Sequence, residues 1–122
     1  LAADTHKFEA RYLDSLVGPL PESVELYRER SPIHHVDQLD RPVIVFQGMN
    51  DVVVPPNQSE AIVSALRERG VPVAYLVFEN EGHGFRKAET LISVLNSELS
   101  FYCQVLGIEH PEGVDRIPVE NL

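Results

Sequence analysis

The amino-acid sequence predicts an α/β fold in which parallel strands are joined by helices. Two short, largely apolar runs, 42–47 and 73–78, have the character of strands that are covered on both faces of a sheet. A helical pattern follows each run, and the order strand, helix, strand, helix produces parallel strands with right-handed crossovers. We therefore expect both strands to end at the same edge of the sheet.

The amino-terminal part of the chain is predicted to be helical. Residues 7–17 carry apolar side chains at helical spacing, and Gly18 ends that pattern. A second short helix is predicted over 22–30. It stops at Ser31 because the following Pro32 pushes that residue out of the helical region of backbone angles.

The first strand leads through a turn at Gly48 to a helix that is predicted to begin near Asn57. The Asn57 side chain is suited to capping a helix, and Glu60 follows three residues later in a variant of the capping-box pattern. Gly70 is suited to the left-handed residue that closes the helix. The buried stripe of this helix is expected to consist of Ile62, Ala65 and Leu66.

The second strand leads to a long helix over 87–106, which ends at Gly107. Its apolar residues recur at steps of three and four, so one face is expected to pack onto the sheet. That face consists of Leu91, Leu95, Leu99, Tyr102 and Leu106. Residues 107–122 contain prolines and scattered acids without a period, and they are expected to form a tail that is either wrapped on the surface or mobile.

The composition limits the partners of the chain. Its 19 acidic and 10 basic residues give a net charge of -9, which argues against a nucleic-acid-binding surface. Its apolar runs are far shorter than the roughly 20 residues that a spanning helix needs. Cys103 is the one cysteine, so we expect a buried thiol, no internal disulfide and, by default, cytosolic residence. Nothing in the sequence indicates a cofactor.

Two residues with catalytic chemistry follow the two strands. Asp51 comes shortly after the first strand, and His83 stands between Gly82 and Gly84 after the second. Functional residues of open α/β sheets gather beyond the carboxyl ends of the strands, so these side chains are expected to meet. Histidine can take a proton from a serine hydroxyl while aspartate fixes its tautomer, and acid before histidine is the chain order of α/β-hydrolases. The alternative is that Asp51 forms a turn and His83 is a solvated loop residue.

Four segments carry a family resemblance. They are SPIHH (31–35), PVIVFQG (42–48), NDVVVP (50–55) and EGHGFR (81–86). From about Phe8 to Leu106 the chain resembles the carboxyl-terminal part of prolyl oligopeptidase family serine peptidases, above all the acylaminoacyl-peptidase and dipeptidyl-peptidase branch. The resemblance implies that Asp51 and His83 are the triad acid and base of an α/β-hydrolase catalytic domain, which a β-propeller usually precedes. It also implies short or amino-terminally blocked peptides as substrates.

The nucleophile of such a triad is missing from the sequence. A nucleophile elbow has the pattern Gly-x-Ser-x-Gly, and none of the serines here has both glycines. Two strands are also too few for a stable sheet. We therefore expect residues 1–122 to be a carboxyl-terminal fragment of one α/β-hydrolase catalytic domain, with 107–122 as its tail. The fragment alone is expected to be inactive and to need the remaining hydrolase part that carries the serine.

Two other functions stay open. An esterase of the dienelactone-hydrolase type carries the same acid and histidine after its final two strands. The isolated chain is alternatively a non-catalytic assembly module, since apolar strand edges seek pairing and favour self-association.

The remaining polar residues near these motifs have structural interpretations. His34 and His35 lack companions at metal-ligand spacing, so we expect them to pack in a loop. Arg86 is expected to be a surface or ion-pair residue. Glu79 and Glu81 are expected to solvate the end of the second strand.

Overall fold

A computed structural model describes residues 11–122, which contain four α-helices and one two-stranded sheet. In chain order the elements are α1 Tyr12–Leu16, α2 Val24–Arg30, β1 Val43–Gly48, α3 Pro56–Glu68, β2 Val73–Phe78 and α4 Ala88–Leu106. Two short 3-10 helices, Pro32–His34 and Val36–Gln38, connect α2 to β1. The helix predicted over 7–17 is present as α1, and its residues 7–10 lie outside the described residues.

The two strands are parallel neighbours, as the order of elements predicts. Their register runs from Val43 opposite Val73 to Gly48 opposite Phe78. The ladder continues one residue past β1, where the Met49 N–H donates to the carbonyl oxygen of Phe78 at 3.0 Å. The loops that follow the two strands therefore start side by side at one edge of the sheet.

Helix α3 covers one face of the sheet with the side chains that its spacing predicts and with Val63, which the prediction missed. Leu66 is fully buried, and Ile62 and Ala65 pack against the core that it belongs to. That core consists of Val36, Val63, Leu66, Val71 and Val73. It joins α3 to β2 and to the segment that precedes β1, and Val43 and Val45 of β1 pack against it. The loop between β1 and α3 is therefore anchored at both ends.

The ends of α3 agree in part with the prediction. The helix begins at Pro56 with Pro55 at the N-cap, so the prediction of Asn57 as the cap is wrong and Asn57 lies inside the first turn. Proline suits the first helical position because its fixed φ is already helical and an N–H there would lack an intrahelical partner. At the other end Gly70 has a φ of +70°, as a closing left-handed residue should.

Helix α4 packs through a different face from the predicted one. Its buried residues are Thr90, Ser97, Ser100, Phe101 and Cys103. The predicted face is instead exposed, by 41 to 65%, at Leu91, Leu95, Leu99, Tyr102 and Leu106. The helical period is confirmed, but the contact that it was expected to make is wrong. Spacing defines the faces of a helix and not what they touch, and here a face with small serine side chains lies inward.

The tail, residues 107–122, wraps back onto the sheet. Gly107 ends α4 in the left-handed conformation, with a φ of +66°, as predicted. Val73 and Glu120 exchange two backbone hydrogen bonds of 3.0 and 2.9 Å, and the Glu120 carboxylate lies 2.7 Å from the guanidinium of Arg67. Of the two states predicted for the tail, the wrapped one is confirmed, and it covers the start of β2 on the side away from β1.

Candidate active site

Asp51 lies in residues 49–55, which link β1 to α3 and are called the acid loop. Its Oδ1 accepts hydrogen bonds from the backbone N–H groups of Val53 at 2.9 Å and Val54 at 2.8 Å. Aspartate favours such turns because its short side chain reaches the N–H groups of the residues that follow it. With its side chain 10% exposed, the carboxylate is held in one orientation by the backbone of its own loop.

His83 lies in residues 79–87, which link β2 to α4 and are called the histidine loop. Its Nδ1 is 3.1 Å from Oδ2 of Asp51. An ionised carboxylate only accepts hydrogen bonds, so Nδ1 carries the hydrogen and donates it. In this tautomer the lone pair of Nε2 can accept a proton, and the His83 side chain is 57% exposed. The structure thus brings the two predicted site residues together as a hydrogen-bonded pair.

The acid loop and the histidine loop meet at Gly48, the last residue of β1. A Cβ at this position would lie 2.6 Å from the carbonyl oxygens of both Glu81 and Gly82. The approach is fixed by a hydrogen bond of 2.9 Å from the Asn50 N–H to the Glu81 carbonyl oxygen. The absence of a side chain at Gly48 is therefore what lets His83 come within reach of Asp51.

Glu81 is buried, with 4% of its surface exposed, so the expectation that it solvates the strand end is wrong. Its two carboxylate oxygens accept hydrogen bonds from the backbone N–H groups of Arg86 at 3.1 Å and Lys87 at 3.0 Å. They thereby close the histidine loop by satisfying the N–H groups of the two residues that precede α4. A carboxylate a few residues before a helix is the sequence signal for this role, but the signal does not say that the loop folds back over it.

Hydrogen bonds set the ionisation of Glu81. Burial raises the pKa of its carboxyl, but the hydrogen bonds from Lys87, Arg86 and Thr90 outweigh burial and hold that pKa below its ordinary value. The group is therefore charged at neutral pH. A charged carboxylate is the form that can accept from both N–H groups at once.

The pKa of Asp51 is also held below its ordinary value. Burial of the carboxylate raises the pKa, but the hydrogen bonds from Val54, His83 and Val53 together outweigh burial. Asp51 is therefore ionised at neutral pH. In that state it can stabilise a positive charge on the His83 ring.

Glycines shape the tip of the histidine loop. Gly82 and Gly84 form an isolated antiparallel bridge on either side of His83, and Gly84 has a φ of +85°. This angle lies in the left-handed region that side chains with a Cβ rarely adopt. The tight loop predicted from these glycines is therefore present, and it exposes the imidazole.

The other predicted residues do not join this pair. His34 lies in the 3-10 helix Pro32–His34, and the ring of His35 bonds to the carbonyl oxygen of Glu29. Within residues 11–122 no group of three potential metal-ligating residues is found. Cys103 is buried, as expected. In the same part of the chain no helix is long and apolar enough to cross a membrane.

Ser100 also pairs with a histidine, but its surroundings are structural. Its Oγ is 3.1 Å from Nε2 of His110 and accepts a hydrogen bond of 3.1 Å from the Ile117 N–H. The residue is fully buried beneath the tail. The pair therefore fastens the tail to α4, and it lacks the access that a nucleophile needs.

Comparison with known proteins identifies a family. The sequence model of the prolyl oligopeptidase family matches residues 1–109. The chain is 34% identical over 104 residues to dipeptidyl aminopeptidase BIII of Pseudoxanthomonas mexicana, a match that covers 74% of this chain and 15% of that protein. It is 33% identical over 91 residues to the acylamino-acid-releasing enzyme of Arabidopsis thaliana, covering 72% of this chain and 12% of the relative.

A solved structure agrees over nearly the whole chain. The chain matches a puromycin-hydrolysing peptidase of Mycobacterium tuberculosis with a TM-score of 0.91 and 51% sequence identity. This match covers 98% of the chain and 18% of the peptidase. The chain therefore spans less than a fifth of the length of each of these three proteins.

Proposed function

The chain belongs to the prolyl oligopeptidase family of serine peptidases, whose catalytic domain is an α/β-hydrolase fold, and we propose that Asp51 and His83 are two members of its catalytic triad. One observation carries the proposal, the contact of 3.1 Å between Nδ1 of His83 and Oδ2 of Asp51. Both side chains stand beyond the carboxyl ends of adjacent parallel strands, where the functional groups of such sheets gather.

The proposed reaction is acyl transfer through a serine. The serine Oγ attacks the peptide carbonyl carbon while Nε2 of His83 takes the hydroxyl proton, and the ionised Asp51 stabilises the imidazolium. The tetrahedral intermediate collapses, the carbon–nitrogen bond breaks, and His83 returns the proton to the leaving amine. A water molecule, deprotonated by His83 in the same way, then attacks the acyl carbon. The bond to the serine Oγ breaks, the acid product leaves, and His83 returns the proton to the serine.

The serine belongs to the part of the hydrolase outside residues 1–122, in this proposal. No serine of the chain stands in the pattern Gly-x-Ser-x-Gly. The hydroxyl of the buried Ser100 already accepts a hydrogen bond from the tail. We propose accordingly that the chain is the carboxyl-terminal portion of one hydrolase domain, with 107–122 as its tail. By itself it is inactive, and its partner is the remaining hydrolase part.

Short or amino-terminally blocked peptides are the substrates that we propose. The relatives include a dipeptidyl aminopeptidase and an acylamino-acid-releasing enzyme, and the structural neighbour is a puromycin-hydrolysing peptidase. An esterase with the same acid and histidine is the alternative. A dipeptidyl amide, an acylated amino-acid amide and a simple ester of the same chromophore separate the two. Either enzyme can cleave the more reactive ester, but only a peptidase is expected to turn over one of the amides.

The test uses the full-length parent protein and a fluorophosphonate probe, which labels activated serines. His83→Ala is expected to abolish both labelling and amide turnover, because the serine loses its base. His34→Ala is the matched control, since His34 is an exposed histidine outside the site, and it should label at the wild-type rate. Undiminished labelling of His83→Ala would rule out the triad assignment.

A further inference from the structure

The amide of Gln47 fastens the acid loop at both of its ends. Gln47 is the penultimate residue of β1, and 4% of its surface is exposed. Its Nε2 donates to the carbonyl oxygen of Gly48 at 2.9 Å, just before the loop, and to that of Val54 at 3.4 Å, near its end. Its Oε1 accepts a hydrogen bond of 2.6 Å from Ser59 Oγ in the first turn of α3. The side chain thus spans the base of the loop that carries Asp51.

Val54 links this amide to the carboxylate of Asp51. The Val54 N–H donates to Asp51 Oδ1 at 2.8 Å, while the Val54 carbonyl oxygen accepts from Gln47. Both polar groups of one residue are therefore committed, one to the acid and one to Gln47. A shift of Val54 moves a donor that fixes the carboxylate, and the carboxylate in turn fixes the ring of His83.

We propose that Gln47 is a positioning residue for the triad acid, with Ser59 as its anchor on α3. The inference rests on the proposed function, because it assigns Gln47 a part in holding Asp51 against His83. Gln47 touches neither the imidazole nor the substrate in this proposal. It acts by keeping Val54, and through it the Asp51 carboxylate, in register with the ring.

The competing explanation is that Gln47 is a buried amide that stabilises the fold and nothing more. The two explanations differ in what happens once Asp51 has already lost its function. A residue that acts through Asp51 has nothing left to position in an Asp51→Asn background, whereas a residue that only stabilises the fold lowers activity by the same factor in both backgrounds.

The experiment is a double-mutant cycle in the full-length parent protein, read as kcat and KM for an amide substrate. Gln47→Met keeps the length of the side chain and removes its hydrogen bonds. It should lower kcat about tenfold to a hundredfold, the scale of a misplaced catalytic group, with KM within about twofold. The acylation rate of all four proteins is also measured in single turnover, and in the Asp51→Asn background Gln47→Met should lower that rate less than about twofold.

Ser59 supplies a milder variant and a matched control. Ser59→Ala removes one hydroxyl and should lower kcat about threefold, the scale of one hydrogen bond, while Ser59→Thr, which keeps the hydroxyl, restores it. Ser64→Ala removes an exposed hydroxyl from the same helix and should leave kcat unchanged. Should Gln47→Met fail to fold, the Ser59 series and its own cycle with Asp51→Asn decide the question.

Each outcome assigns a cause. Unchanged kcat in Gln47→Met, or equal losses in both backgrounds, would overturn the positioning role while leaving the triad intact. Full activity of His83→Ala would overturn the proposed function itself, whatever Gln47 does. Loss of activity in His83→Ala together with a cycle that shows coupling supports both.

Discussion

At the residue scale, the site depends on a glycine as much as on its two ionisable side chains. The carbonyl oxygens of Glu81 and Gly82 occupy the space that a Cβ on Gly48 would need. Both oxygens are backbone atoms of the loop that carries His83, so a methyl group at Gly48 must push that loop away from Asp51. Gly48 is therefore a structural requirement of the Asp51–His83 contact.

We expect Gly48→Ala to destabilise the chain by about 1–3 kcal/mol, the scale of overpacking, and to lower the activity of the parent protein. Gly82→Ala is the control, because a Cβ there meets its nearest atom, the Asn50 carbonyl oxygen, at an ordinary 3.5 Å. It should cost about 0.5 kcal/mol or less. Urea unfolding measures the destabilisation caused by each of the two substitutions. Equal values would show that the overlap at Gly48 is relieved without moving the histidine loop.

The lowered pKa of Asp51 makes stability depend on pH in a defined window. The folded pKa lies below the unfolded value of 3.8, so the folded state favours the charged carboxylate. The resulting stabilisation is present above that unfolded value and disappears as the pH falls through the folded pKa. Urea unfolding between pH 3 and 7 should therefore show a wild-type advantage over Asp51→Asn that shrinks below about pH 4. An advantage of constant size would contradict this origin.

The sequence identified Asp51 and His83 because each follows an apolar strand and stands close to glycine. It did not identify Glu81 or Gln47, whose importance comes from where the backbone of a loop returns in space. A glutamate whose buried carboxylate closes a loop cannot be distinguished in the sequence from a glutamate whose carboxylate is exposed to solvent. Burial distinguishes them, and burial depends on contacts between segments that are distant along the chain.

At the element scale, α3 and α4 show what periodicity predicts and where it stops. For α3 the predicted stripe is confirmed in part: Leu66 is fully buried and Ile62 and Ala65 pack partly buried against the core, but the fully buried Val63 was not predicted. For α4 the strongest apolar row is exposed and a row with serines and Phe101 is buried. When a helix carries apolar residues on two sides, either side can pack against the sheet. The spacing alone does not determine which side does.

This difference predicts contrasting costs for two leucines. Leu66→Ala should destabilise the chain by about 2–5 kcal/mol, because it opens a cavity in the core. Leu95 is 65% exposed, so Leu95→Ala should cost about 0.5 kcal/mol or less. Urea unfolding of the 122-residue chain compares them at a low protein concentration and low salt, where self-association does not contribute. A large cost at Leu95 would mean that the face predicted from sequence does pack against the sheet.

At the scale of the whole molecule, the described residues bury one sheet face well and leave other apolar surfaces open. The sheet of residues 11–122 has the order β1-β2, and β2 is covered at its start by the tail. The free edge of β1 and the exposed face of α4 are both on the surface. Because both strands have the apolar composition of central strands, the sequence predicts that some apolar surface is left uncovered. It does not predict that part of this surface lies on α4.

These surfaces predict that the isolated chain self-associates. Unpaired strand edges and contiguous apolar faces favour association, whereas the net charge of -9 opposes it, so association should strengthen as salt screens the repulsion. Sedimentation velocity over a range of concentrations and salt measures this. A charged pair of substitutions on the exposed face of α4, Leu95→Glu with Leu99→Glu, should shift the chain toward monomer. Asn96→Glu with Ser64→Glu adds the same two charges at exposed polar positions outside this face, so it is the matched control and should not shift the chain toward monomer.

The outcomes of that experiment distinguish the two surfaces. Association that disappears only in the Leu95 and Leu99 variant assigns the contact to the face of α4. Association that persists in every variant assigns it to the β1 edge, where the remaining strands of a hydrolase sheet would pair. A wild-type chain that stays monomeric at all concentrations and salts would contradict the assembly prediction, because it would show that neither surface drives association against the charge of the chain.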